Sequence, residues 1–291
     1  MTASWQLWRD KRGRLSILRI VTLTLLLMPA GKALVDLDAI LHSARPINDL
    51  IHRAGFWALV FLGVTLAVTP LRRIARYGNL IDVRRMLGVG TFCYIATHLV
   101  LYIADQSFDL GKAGYEITHR VYLIIGGMAW LGLAALALTS TDGMMRRLGG
   151  IRWRRLHQIV YAIALLALVH YFQQTKADVT VPIFAAGLFA WLIGYRLLAW
   201  WRDTADLSTP DLFGLSLAIS ALTFAGEAIG IGIAFGISPI RVLDVAFDFS
   251  AGVRPGWQVL AAGLAAVALD LVRARWNGRA ARNRTRPVAA E

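Results

Sequence analysis

The stretch WRRLHQIVYAIALLALVHYF, residues 153–172, decides the fold. Between His157 and His170 it is an almost unbroken apolar run. An amphipathic helix of a soluble protein would interrupt such a run with polar residues every third or fourth place, and a half-buried strand would alternate. This run does neither. It reads as a helix crossing a bilayer, where no water can satisfy the backbone and each peptide group must bond within its own helix. Working outward, similar runs recur along the chain. Eight spans are expected, at about residues 17–36, 52–70, 86–104, 120–140, 157–173, 181–200, 212–235 and 256–275. An all-α membrane protein is therefore the expected fold class.

Composition agrees. Of 291 residues 57% are hydrophobic and only 17% charged, with a mean hydropathy of +0.56, far from the mix of a soluble domain. A net charge of +13 would ordinarily raise nucleic acid as a partner, but the arginines fall in short clusters between the apolar runs. That pattern suits a membrane surface and argues against nucleic acid. If the N-terminus is cytoplasmic, the inner segments 1–16, 71–85, 142–156, 201–211 and 273–291 hold 21 Lys and Arg residues. The outer loops hold five: Arg45, Lys112, Lys176, Arg241 and Arg254. By the positive-inside rule both termini of a multi-pass membrane protein are expected in the cytoplasm. The first run ends at Lys32 and Asp36 without a small-residue cleavage site and reads as a retained helix. Trp191, Trp200, Trp201, Trp257 and Trp276 near span ends read as interfacial anchors or ordinary packing. The basic stretch from Arg279 to Glu291 reads as a disordered tail near anionic lipid.

Ionisable residues inside a membrane are costly and are candidates for function. Spans three and five run in the same direction, so His98 and His170 share the outer half, while His157 opens span five at the inner side. Neutral imidazole is an axial ligand of haem iron, and two helices offering one each at matched depth can clamp a b-type haem. The alternative for any single histidine is a hydrogen-bonded core residue. The lone Cys93 supports no disulfide or thiolate cluster, and the absence of CxxCH argues against covalent c-type haem. Fourteen residues before His98 stands Arg84, and thirteen before His170 stands His157, each spacing climbing roughly 20 Å. Arginine keeps its proton, so Arg84 or Arg85 is expected to pair with a haem propionate or a flavin phosphate. Thirteen residues also splay His157 and His170 onto different helix faces, so either a kink corrects this or the two serve different sites. His42, His52 and His119 lie at outer edges and read as interfacial. Glu227 and Asp270 could relay protons to a quinone or be satisfied between helices. Gly226, Gly230 and Gly232 read as permitting close helix packing, since no strand precedes them to make a dinucleotide fingerprint.

These residues carry a resemblance to the MsrQ family, also called YedZ, within the ferric-reductase-like transmembrane group. The matching stretches are IHRAGFWALVFLGVTLAVTPLRR from Ile51, RRMLGVGTFCYIATHLVLY from Arg84, ALTSTDGMMRRLG from Ala137 and WRRLHQIVYAIALLALVHYF from Trp153. The resemblance extends over roughly residues 15–200. It implies a six-helix haem-binding bundle over 17–200, to which this chain adds two transmembrane helices over 201–275, between a basic N-terminus (1–16) and a basic tail (276–291). It further implies an electron-transfer subunit with one or two b-type haems, and FMN as a further cofactor. Electrons would come from the quinone pool or a cytoplasmic flavin reductase. They would pass to a periplasmic molybdopterin methionine sulfoxide reductase, MsrP, which repairs oxidised periplasmic proteins. The implied haem histidines are His98, His157 and His170; the flavin position does not carry over from the family, and Arg84, Arg85, Arg154 and Arg155 are the residues of this chain that read as phosphate partners on the inner side. With the resemblance, a bacterial inner-membrane location is expected. The rival readings are another haem-containing quinone or ferric reductase, a proton-coupled transporter without haem, and a cofactor-free membrane anchor.

Overall fold

The structure, a computed structural model, describes residues 7–9, 13–175 and 178–284. Helix follows helix in it, with no strand among the described residues. In chain order they are α1 (Ile17–Val35), α2 (Leu37–Leu41), α3 (Pro46–Ile74), α4 (Ile81–Asp105), α5 (Leu110–His119), α6 (Val121–Leu138) and α7 (Asp142–Leu148). They continue as α8 (Gly150–His157), α9 (Val160–Gln174), α10 (Thr180–Trp201), α11 (Thr209–Phe235), α12 (Pro239–Val245) and α13 (Pro255–Arg284). Eight helical stretches are long and apolar enough to cross a membrane, and the expected spans coincide with them. The protein is a multi-pass membrane protein. Several observed helices, α3 among them, outrun the apolar run that marks them, because helix geometry continues into the polar interface. Exposed Leu131, Leu222 and Ile233 lie within spans, as lipid-facing residues do.

The chain forms two compact units, one of residues 1–68 and 79–176 and one of residues 69–78 and 177–291. In the first, α1 packs on α4, and α6 packs on α4, α5 and α9. Leu26, Phe61, Val68, Val83 and Leu87 form a buried cluster there. The Tyr94 hydroxyl donates to the Leu26 carbonyl across 2.7 Å. Lipid tails are as apolar as leucine, so such close packing and hydrogen bonds, rather than water exclusion, hold membrane helices together.

In the second unit α10, α11 and α13 pack on one another, so the sixth spanning helix joins the last two. Small side chains set this contact: the indole N–H of Trp191 donates to Ser216 Oγ at 3.1 Å, and Gly263 of α13 lies against both residues. The expectation for the α11 glycines is corrected in part here. Gly226 and Gly230 have open space where a Cβ would be, whereas Gly232 does allow a close approach, its Cβ position lying 2.9 Å from the Ile237 carbonyl oxygen and 3.0 Å from Pro239; further close contacts of α11 fall on the buried Ser216, Ser220 and Thr223. Trp191 is buried rather than interfacial, whereas Trp200, Trp201 and Trp276 are exposed as anchors would be. Both intramembrane carboxylates find partners between elements. Glu227 lies 3.4 Å from Arg254 Nε, and Asp270 accepts from Thr209 Oγ1 at 2.7 Å. The final helix runs on through Arg284, which corrects the reading of residues 279–284 as disordered. Residues 285–291 of that tail, Lys176, and residues 1–6 and 10–12 of the basic N-terminus lie outside the described residues.

Candidate functional site: a pair of imidazoles in the first unit

The site begins where four helices of the first unit bring the same end together. Residue Ile51 is near the start of α3 and Tyr122 near the start of α6, while His98 is near the end of α4 and His170 near the end of α9. His98 Nδ1 lies 2.8 Å from the Ile51 carbonyl oxygen, and His170 Nδ1 lies 2.8 Å from the Tyr122 carbonyl oxygen. A carbonyl can only accept, so in each ring the Nδ1 carries the proton. In the neutral ring that choice leaves Nε2 with its lone pair, the state in which imidazole binds a metal. The two ring centroids are 6.4 Å apart and the planes cross at 88°.

That separation has chemical content. A metal–imidazole bond is about 2 Å long, so an ion shared by two opposed rings holds their centroids on the order of 6 Å apart. Among the described residues no group of three or more His, Cys, Asp or Glu is placed to hold a metal ion. Two imidazoles alone suit an ion that brings its equatorial ligands with it, as haem iron does.

Around the pair stand residues that the sequence reading did not single out. Gly55 and Gly126 leave room for the two rings: a Cβ at either would stand about 3 Å from ring atoms. Tyr102, one turn beyond His98, has a buried hydroxyl with no hydrogen-bond partner among the described residues. Near it Arg120 donates to Glu116 at 3.0 Å and to the Tyr122 hydroxyl at 3.2 Å. The Tyr122 ring stacks beside His170. Outside the span, Arg120 is held above the usual arginine range first by its bond to Tyr122 and then by Glu116, so it stays cationic. His52, next to Ile51 on α3, is exposed. Only the i, i+4 spacing of His98 and Tyr102 could have signalled any of this from sequence.

The structure does not bring His157 to this pair. Its helix ends at His157 and the next begins at Val160, so the chain breaks where the thirteen-residue spacing demanded a correction. Both His157 nitrogens have neighbours: Nδ1 lies 3.1 Å from the Trp153 carbonyl and Nε2 lies 3.3 Å from Ser140 Oγ. The ring stacks on Trp153 with centroids 3.9 Å apart. Arg84 is its charged neighbour, while Arg85 pairs with Asp142. Arg154 and Arg155 are exposed on α8. All five belong to the opposite end of these helices from His98 and His170. His42 and His119 are exposed, and each has an Nδ1 2.8 Å from a carbonyl of its own chain segment, as interfacial residues do.

Fold and site together define an all-helical membrane bundle that holds two imidazoles close together between its helices, with their planes nearly perpendicular. Comparison with known proteins agrees: the family described as "Ferric reductase like transmembrane component" matches residues 54–168. The chain is 43% identical over 171 residues to the protein-methionine-sulfoxide reductase heme-binding subunit MsrQ of Xanthomonas euvesicatoria pv. vesicatoria, a match covering 57% of this chain and 78% of that protein. It is 40% identical over 191 residues to the subunit of the same name from Rhodospirillum rubrum, covering 65% of this chain and 89% of that protein. The chain belongs to the MsrQ family. No solved structure matches it.

Proposed function

We propose that this protein is the haem-binding membrane subunit of a methionine sulfoxide reductase system, and that one b-type haem is held between His98 and His170. The observation that carries the reading is the pair itself: two imidazoles with Nδ1 tied to carbonyls, centroids 6.4 Å apart. The relatives' printed name, heme-binding subunit, supports it. So does the fit of the surroundings. The unpartnered Tyr102 hydroxyl and the cationic Arg120 lie at the same outer end as the pair, where carboxylates of a bound porphyrin would need donors.

Haem iron there would supply one-electron chemistry, and this chain's residues make and break no bond themselves. His98 and His170 would hold the iron, and their basicity would tune its potential. The Ile51 and Tyr122 carbonyls raise that basicity by accepting hydrogen bonds from Nδ1–H. The apolar span excludes water and keeps the local dielectric low. Electrons enter at the end that carries His157, Arg84, Arg154 and Arg155, a basic surface suited to a flavin phosphate or to a quinone headgroup. A second haem or FMN would belong there, with His157 as its histidine. Arg85 turns to such a ligand only by leaving Asp142. Electrons leave at the outer end toward a periplasmic molybdopterin reductase, MsrP, which reduces the sulfoxide. The charge bias of the loops supports an inner-membrane protein with both termini in the cytoplasm.

A reduced-minus-oxidised spectrum with haem quantification on purified protein tests this. Wild type is expected to bind haem, His98→Ala and His170→Ala to lose the haem of the pair, and His157→Ala to keep it. Wild type that shows no Soret absorption after haem supplementation overturns the reading and returns a transporter or a cofactor-free anchor.

A further inference from the structure

The two histidines are seated by the same local device, repeated on different helices. On α3 the Ile51 carbonyl accepts a hydrogen bond from His98 Nδ1–H, and four residues on stands Gly55. A Cβ on Gly55 would lie 3.0 Å from Nδ1 and 3.1 Å from Cε1 of that ring. On α6 the Tyr122 carbonyl accepts a hydrogen bond from His170 Nδ1–H, and four residues on stands Gly126, whose Cβ would lie 2.9 Å from both Nδ1 and Cε1. In an α-helix the carbonyl of residue i already accepts from the N–H of residue i+4. Its second lone pair can accept a further hydrogen bond only from a donor lying in the groove beside that next turn. An imidazole reaches that lone pair by lying where the side chain of residue i+4 would begin, and glycine is the residue that vacates the place.

We infer that Gly55 and Gly126 are positioning residues, each paired with the carbonyl one turn before it, that fix the tautomer and the plane of His98 and of His170. The inference rests on the haem reading above for its consequence at iron, but the seating of the rings is a property of the chain alone. Rings are rigid, so an added methyl group cannot be absorbed by a flexible side-chain end. The histidine must turn, lengthen its bond to the carbonyl, and lose the 88° crossing of the planes. Alanine is the better helix former, so at a glycine with no ring beside it the same change is neutral or favourable. The molecule contains matched controls. Gly63 on α3 has nothing within 4 Å, and Gly127, next to Gly126 on α6, has only an ordinary contact at 3.6 Å with Ile117.

The experiment compares Gly55→Ala and Gly126→Ala with Gly63→Ala and Gly127→Ala by titrating haem into purified apoprotein and recording electron paramagnetic resonance of the ferric form. The first two are expected to bind haem about 10- to 100-fold more weakly, the scale of losing a group that orients a metal ligand. The haem they retain is expected to lose the strongly anisotropic low-spin signal of perpendicular imidazole planes for a more rhombic one. The two controls should match wild type. A second measurement guards against simple misfolding. Thermal unfolding without haem is recorded for Gly55→Ala in the wild-type and His98→Ala backgrounds, and for Gly126→Ala with and without His170→Ala. The cost of each glycine change should vanish once its ring is removed. Unchanged affinity and signal in Gly55→Ala and Gly126→Ala, or an equal unfolding cost in both backgrounds, would overturn the inference. Wild type that takes up no haem would sink the functional reading instead, and the unfolding cycle would still decide the role of the glycines.

Discussion

A histidine can serve as an iron ligand when one ring nitrogen is held and the other is left open, and this criterion separates the three intramembrane candidates. His98 and His170 meet it through Ile51 and Tyr122, whereas His157 has Trp153 on one nitrogen and Ser140 on the other. Ser140→Ala therefore leaves the haem of the pair at its wild-type level, read from the same difference spectrum; a loss would tie the His157 end into the same site. Sequence made His98 and His170 legible because depth in a span follows from counting residues. It could not reveal the carbonyl partners, since a backbone oxygen leaves no mark in the choice of side chain. Nor could it single out Gly55 and Gly126 from the other glycines, because what distinguishes them is a ring donated by another helix. Arg84 and Arg85 were expected to face a cofactor from their position at the foot of α4. Arg85 instead lies on Asp142, whose place in the next connection no spacing rule forecasts.

At the scale of helices, the apolar runs marked all eight spans, while their breaks and caps decided the details. The interruption between α8 and α9 falls just after His157, so His157 and His170 stand on different helical segments. Helix α11 begins with a capping box in which Ser208 and Asp211 exchange hydrogen bonds. Removing it through Ser208→Ala should cost about 1 kcal/mol, seen as a lower melting temperature in detergent. The contact of Glu227 with Arg254 is more consequential. Glu227 is 3% exposed and lies 3.4 Å from Arg254 Nε, which has no hydrogen-bond partner among the described residues. Arg254→Ala should destabilise by about 3–5 kcal/mol by leaving a buried carboxylate uncompensated, and Arg254→Ala with Glu227→Leu should recover much of that loss. If the double variant melts no higher than the single one, the pair is not what holds that end of α11.

For the whole molecule, charge and hydropathy gave the class and the expected direction of insertion, while the division of labour along the chain emerged only from packing. The residues of the imidazole pair and their carbonyl partners all lie in the first compact unit, and the second gathers α10, α11 and α13 around small polar contacts. The relatives' matches leave at least a third of this chain uncovered, so likeness alone assigns no role to all of it. Orientation is open to direct test: a reporter active only in the cytoplasm should work when inserted after Leu148 and fail when inserted after Lys112, and the reverse would invert the direction of electron flow. The central claim is that two imidazoles, from His98 and His170, grip one iron. Near-infrared magnetic circular dichroism of the oxidised wild-type protein reads the axial ligand pair directly. The account predicts the charge-transfer band of bis-imidazole ligation, lost in His98→Ala and in His170→Ala. A band from histidine opposite water, hydroxide or methionine would contradict it.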